Sequence, residues 1–480
     1  MEKVLKPTGN IKVSYKTLFG VIFLAVCMLY ISVCGADIWQ ILAVGVLGIM
    51  VIMCLRDISK NCFLLFFLAS LFVFLMSGDI AELVFDEHYY LQFSEEATLH
   101  AHKCIFIALL AILIGFVLTP LRRKEIEVDT CESNGGFITK LRQVSKILYF
   151  ISFVILMVSM IDVIRFVMVH GYVAYYVSYT SSLPSIIVRI GEYTPLALCV
   201  FLATLPSKKE SSSIIISFLL YSALSLLVGS RSSAIYNTVF ILCYCLYRNR
   251  TDRGKEVWVS KNLIICLIIA VPFILSFLYL YEFIRTDREI ESMTIGESVV
   301  SFFVNIGASS KVIKYGYELS NQIPKMRIYS FGETLNYFKY GTIFNLFSQT
   351  PVPPRHSVEF ALESHSFSAI VSYLTMPSRF LNGEGTGSSY IAELYADFGY
   401  LGVALGSLVY GCFFKKITFL SNKNWLSTSV KLYMFLVMLA APRASYDGFI
   451  AQIINVNNIL YLIFVYFLAK YGRIKYKLQR

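Results

Sequence analysis

Apolar residues gather in long uninterrupted runs along this chain, separated by short polar connections. The expected pattern is therefore all-α and polytopic, because only helices satisfy their own backbone inside a bilayer. With a window of about 19 residues, helical spans are predicted near residues 17–35, 38–55, 61–77, 101–119, 147–168, 187–205, 212–229, 233–247, 262–283, 390–414, 426–442 and 449–469. The twelve spans alternate with connections of opposite character. Arg56 and Lys60, Arg122 to Lys124, Lys208 and Lys209, Arg248 to Lys255, Lys415 to Lys423 and the tail from Lys470 to Arg480 are basic. The intervening connections are poor in lysine and arginine, and one is acidic, with Asp79, Glu82, Asp86, Glu87, Glu95 and Glu96. The positive-inside rule then places both termini, and the basic loops 120–146 and 248–261, in the cytoplasm. The first run is too long for a signal-peptide core and is expected to be retained.

Composition agrees. Of 480 residues, 57% are hydrophobic and 15% charged, with a mean hydropathy of +0.65, against roughly 25% charged in soluble domains. That excludes a water-soluble fold and favours a single membrane domain over residues 1–480. The net charge of +11 is spread over topology-setting clusters with no basic domain, so nucleic acid is not a partner. Eleven cysteines lie in or beside apolar runs without metal-ligand spacing. His88, His100 and His102 share an acidic connection with Glu95 and Glu96 but follow no metal motif; no metal and no cofactor is expected.

One connection breaks the pattern. Residues 284–388 form a long aromatic-rich loop that the topology puts outside the cytoplasm, the usual place for an active-site lid on a helical scaffold. Within it, Ile295 to Tyr317 has the mixed spacing of a helix lying along the interface. Arginines cluster on the same outer side, where the charge rule prefers none. Arg231 lies in the turn Gly229-Ser-Arg-Ser-Ser233, Arg285 and Arg288 follow the ninth span, Arg379 ends the loop, and Arg443 shares a turn with Asp447. Guanidinium groups offer bidentate, permanently charged contacts to phosphate oxygens. His365, in Glu363-Ser-His-Ser-Phe367, is a candidate general base. The run from Asn382 through Gly383, Glu384, Gly385, Thr386 and Gly387 frees the backbone to approach a ligand, and Ser388 or Ser389 is placed to cap the next helix, whose start favours an anion. Glu393 and Asp397 share one face of that helix, and Gly402 and Gly406 form a small-residue packing stripe.

These segments resemble the O-antigen polysaccharide polymerases of the Wzy type. The resemblance rests on the Gly-Ser-Arg-Ser-Ser turn at 229–233, on Ser364-His-Ser-Phe367 with Ile370-Val-Ser-Tyr373, on Gly383 through Gly402, and on the Pro442-Arg443 turn. It implies a GT-C-like scaffold in the bacterial cytoplasmic membrane that joins undecaprenyl-diphosphate-linked oligosaccharide repeat units on the outer face. It further implies lipid-linked oligosaccharide and polysaccharide as partners, the membrane lipid itself, and a chain-length regulator. His365, Arg443, Arg288 and Arg231 would then be catalytic, with Arg285, Arg379, Glu384, Gly385, Gly387, Ser388, Glu393 and Asp447 on the substrate. An O-antigen ligase and a lipid-linked oligosaccharide flippase stay open as alternatives.

Overall fold

In a computed structural model the described residues are 15–85, 93–120, 136–251, 256–286, 294–341 and 352–472. Among them every regular element is a helix. The first half contains α1 (Tyr15–Val33), α2 (Ile38–Arg56), α3 (Ile58–Leu75), α4 (Ser77–Phe85), α5 (Glu95–Leu118), α6 (Gly136–His170), α7 (Tyr172–Val177), α8 (Ser185–Glu192), α9 (Thr194–Ala203), α10 (Lys208–Leu224) and α11 (Arg231–Thr251). The second half contains α12 (Lys261–Thr286), α13 (Ile295–Gly307), α14 (Lys311–Glu318), α15 (Gly332–Tyr340), α16 (Val358–Glu363), α17 (Phe367–Thr375), α18 (Pro377–Leu381), α19 (Tyr390–Ile417), α20 (Trp425–Met438), α21 (Gly448–Ile454) and α22 (Val456–Tyr471).

Each of the twelve predicted runs is helical, but the number able to cross a membrane is smaller. Among the described residues eight segments are long and apolar enough, or nine if α21 and α22, bent by 53° to each other, make one span. The reason is length and polarity. The 14-residue α20 reaches about 21 Å, short of the ~30 Å hydrocarbon thickness, and α1 offers only Thr17–Val33 as its apolar part. Helix α11 carries Asn237, Thr238 and Arg248 and turns Phe240, Cys243, Tyr244 and Tyr247 into the bundle. The segment read as an interfacial helix, Ile295 to Tyr317, breaks into α13 and α14, and α13 buries Phe302 and Val304 against the bundle.

The basic connections meet at one end of the bundle. There Lys60 and Arg250 both lie over the Phe419 ring, at 5.9 and 5.5 Å, and Arg248 donates to the Pro206 carbonyl at 2.8 Å. At the opposite end α4, α13 and α14 close over the start of α5. His102 of α5 is held between Asp37 and Asp79, and Lys314 donates to Asp79 at 2.9 Å.

Helices α5 and α19 form the closest pair, and glycine is what lets them touch. A Cβ on Gly115 would lie 2.3 Å from the Leu408 carbonyl oxygen, and one on Gly411 would lie 2.2 Å from that of Ile112. The obstacle is backbone on both sides, so it cannot rotate away. Gly411→Ala is therefore expected to lower stability by about 1–3 kcal/mol, read as an earlier melting midpoint of the purified protein in detergent; an unchanged midpoint would show that the pair separates freely.

Candidate active site

Helix α19 is two antiparallel arms rather than one rod. Gly399 takes φ 59° and ψ −154°, a backbone conformation that glycine tolerates and L side chains do not. Tyr390 consequently stacks on Tyr410 with ring centroids 5.0 Å apart, where a straight helix would separate them by about 30 Å. Gly402 and Gly406, expected to face another helix, instead receive Leu394 from the first arm of the same helix. The bend is held by His100, whose ring stacks on Tyr317 and accepts or donates a 3.0 Å hydrogen bond to the Tyr400 hydroxyl.

This fold-back carries the glycine-rich segment into the bundle. Tyr410 packs on Phe67, near the middle of α3, so Ser388 and Tyr390 lie at about half the bundle's depth. The segment enters under tight constraint. Gly383 and Gly387 adopt positive φ (95° and 79°), and the Thr386 amide donates to Ser372 at 2.9 Å. A Cβ on Gly387 would stand 3.6 Å from Arg443 Nε, so this glycine packs directly on the guanidinium arm. Gly385 lies against Ser372.

Glu393 fastens the segment below. Its carboxylate is 2% exposed, accepts the Ser388 hydroxyl at 2.6 Å and accepts the Tyr446 amide at 2.8 Å. Ser388 thus serves Glu393 and not the helix start. Ser389 occupies the N-cap position without a side-chain cap bond, and its buried hydroxyl has no hydrogen-bond partner among the described residues. Next along the Tyr446 turn, the fully buried Asp447 accepts the backbone amides of Glu333 and Thr334 at 3.2 and 2.8 Å. It thereby serves the first-turn amides of α15 and holds Glu333 beside it.

Glu333 is the residue that sequence reasoning passed over. It is exposed at the surface although protein surrounds much of it. Burial first, then the neighbouring Asp447 charge, pushes its carboxyl above the usual range, while Arg355 opposes the shift. Asp447 is raised by burial as well, against the hydrogen bonds it accepts from Thr334 and Glu333. Three carboxylates, Glu333, Glu393 and Asp447, thus lie within electrostatic reach of one another, and Arg443, in the same turn as Asp447, packs on Gly387. Only their convergence identifies Glu333; Phe331-Gly-Glu-Thr334 follows no motif.

The other predicted residues take different places. His365 lies against the start of α15, where its backbone amide donates to Asn336 at 3.0 Å and its Nδ1 meets the Ile328 backbone at 3.1–3.2 Å. Burial, with the Arg327 and Lys339 charges adding to it, holds its imidazole below the usual range and hence neutral. Asp397 accepts the Tyr329 and Ser330 amides and the Ser330 hydroxyl, fixing the same loop from α19. Arg231 starts α11 and donates to the Leu278 carbonyl of α12 at 2.8 Å; Tyr236, further along α11, lies within the electrostatic reach of Arg443. Arg379 and Glu384 pair with one another on the surface. Arg285 lies in the last turn of α12, and Arg288 lies outside the described residues. His100 and His102 go to the aromatic box and to the carboxylate pair, and no group of metal-binding side chains occurs among the described residues.

A bundle of helices of which eight or nine, among the described residues, are long and apolar enough to cross a bilayer defines a multi-pass membrane protein. The chain belongs to the O-antigen polysaccharide polymerase Wzy family, whose sequence profile matches residues 15–474. No curated protein and no solved structure matches it.

Proposed function

We propose that the protein polymerises undecaprenyl-diphosphate-linked oligosaccharide repeat units on the outer face of the bacterial cytoplasmic membrane. The observation that carries this reading is the clustering of Glu333, Asp447 and Glu393 with Arg443 and the glycine-rich segment that leads into α19. A lipid diphosphate would enter from the side of the bundle, which suits charged groups sunk below the loop end. The gathering of basic connections at the opposite end supports a cytoplasmic location for that end and for both termini. The reading carries with it a GT-C-like scaffold.

In the proposed step a hydroxyl of the incoming unit attacks the anomeric carbon of the growing chain. A new C–O bond forms as the bond to the diphosphate oxygen breaks, and the diphosphate leaves with the electron pair. Glu333 takes the hydroxyl proton. Arg443 and the backbone amides at the start of α19 hold the negative charge as it develops. His365 fixes the loop that leads into α15, and Arg231 ties α11 to α12. Arg285 and Arg288 are retained as diphosphate contacts, and the Arg379–Glu384 pair as a latch on the loop that bears the glycines.

The decisive experiment feeds purified protein the lipid-linked repeat unit and resolves products by size. A ladder supports the reading; unchanged substrate sinks it. Gene deletion separates the ligase alternative, since loss of a polymerase leaves single repeat units on the cell surface while loss of a ligase strands polymer on the carrier.

The raised Glu333 carboxyl also sets a pH dependence. A base must be deprotonated to act, so activity is present above its pKa and is lost as pH falls through it. The acidic limb should therefore lie above the ordinary glutamate value of about 4.3. Asp447→Asn, which removes the neighbouring negative charge, should move that limb to lower pH in the same initial-rate assay; a limb that stays in place would detach Glu333 from the rate.

A further inference from the structure

The last predicted span carries polarity that the reaction does not use. Where α21 meets α22 the chain bends by 53°, and within seven residues it presents Gln452, Asn455, Asn457 and Asn458. Amide groups at membrane depth are costly unless they meet polar partners. Some of theirs are internal, since Gln452 accepts the Tyr433 hydroxyl at 3.1 Å and its backbone carbonyl accepts Asn458 Nδ2 at 2.7 Å. All four also line a cavity of about 590 Å³. The other walls are aromatic, with Tyr337 and Tyr340 of α15 joined by Tyr193 and Tyr433.

Position ties this cavity to the Glu333–Asp447 cluster. Helix α21 begins immediately after Asp447, and α15 begins on the amides that Asp447 caps. Glu333, Tyr337 and Tyr340 are spaced i, i+4, i+7, so they share one face of α15. With 1.5 Å per residue, the tyrosines stand about 6–10 Å along the helix from Glu333. The Tyr337 hydroxyl also accepts the Val456 amide at 2.9 Å, which joins the aromatic wall to the amide wall.

The lining fits a neutral, polyhydroxylated ring. Aromatic faces take the C–H faces of a sugar, and amides supply a donor and an acceptor to its hydroxyls. The charged lining residues, Arg189 and Glu192, carry opposite signs, so the cavity has no excess charge to select a phosphate. The enclosed Tyr340 hydroxyl has no hydrogen-bond partner among the described residues.

We propose that this cavity is a saccharide subsite, holding sugar of the repeat unit beyond the residue being joined. The proposal rests on the polymerase reading for its substrate, but binding can be measured without polymerisation. The probe is the lipid-free repeat-unit oligosaccharide, released by mild acid from the carrier lipid of cells lacking this protein. Saturation-transfer NMR on the purified full chain should show binding that weakens about tenfold or more in Tyr340→Ala and in Asn457→Ala. Tyr340→Phe, which keeps the ring, should bind within a few-fold of wild type. In the ladder assay the two alanine variants should raise KM for the lipid-linked unit with kcat largely kept, as expected for lost uniform binding. Equal binding by wild type and both alanine variants, or no binding by wild type, would overturn the subsite. Intact oligosaccharide binding in a protein that builds no ladder would instead sink the polymerase reading and leave the saccharide subsite standing.

Discussion

Glu333→Gln is expected to stop polymerisation, with initial rate of ladder formation falling by about 10²–10⁴-fold while the protein stays inserted and melts normally. The substitution changes charge and almost nothing else. Asp447 grips this stretch through the backbone amides of residues 333 and 334, so the α15 cap survives the exchange. Glutamine keeps the length and shape of the side chain, and it cannot accept the acceptor hydroxyl's proton. Relieving the like-charge contact with Asp447 should, if anything, leave the folded state as stable as before. The readout is therefore a rate loss without a loss of melting temperature. A variant that retains wild-type rate would remove Glu333 from the chemistry and return the base to His365, whose replacement by alanine would then abolish the ladder. Under the present assignment His365→Ala acts through position: it removes the Nδ1 bond to the Ile328 backbone and should weaken activity less than Glu333→Gln does.

The membrane character of the chain was legible because apolar runs and basic connections are long-range, repetitive signals. The parts that make the site were not. Residues 390–414 read as one span, since nothing in the spacing marks a reversal at Gly399; the glycine alone does not distinguish a bend from a packing contact. The same ambiguity made Gly402 and Gly406 look like a surface for another helix, when the arm before the bend supplies Leu394 to them. Glu393 and Asp447 were legible as acids beside glycine and arginine. Their function as clamps on Tyr446 and on the first turn of α15 depends on contacts between residues 53 and more than 100 positions apart. Glu333 and the amides from Gln452 to Asn458 carry no motif and acquire meaning only from what surrounds them. The guanidinium cluster divides in the same way: Arg443 meets the glycine-rich segment, whereas Arg379 is taken by Glu384 at the surface.

That division makes Arg443 the second large effect. Arg443→Ala should cut the rate by about 10²–10³-fold, the range for removing one preorganised group from developing negative charge. Arg443→Lys should recover part of it, because an ammonium supplies charge without the planar fork. The geometry explains why both matter. The guanidinium arm lies on Gly387, whose positive φ and lack of a side chain allow the approach, and the start of α19 with the buried Ser389 hydroxyl lies two residues on. An anion bound there would meet the arginine and the helix amides together, so their contributions should not add independently. Gly387→Ala tests that coupling: the added methyl would only touch Arg443 Nε at 3.6 Å, but φ 79° is a left-handed backbone that a side chain strains, so the segment should shift off the arginine and reproduce part of the Arg443→Ala loss. In the double variant Gly387→Ala/Arg443→Ala the rate should then fall little further than in Arg443→Ala alone. Two fully multiplicative losses in the ladder assay would mean that the glycine and the arginine serve separate places, and the diphosphate would need another holder.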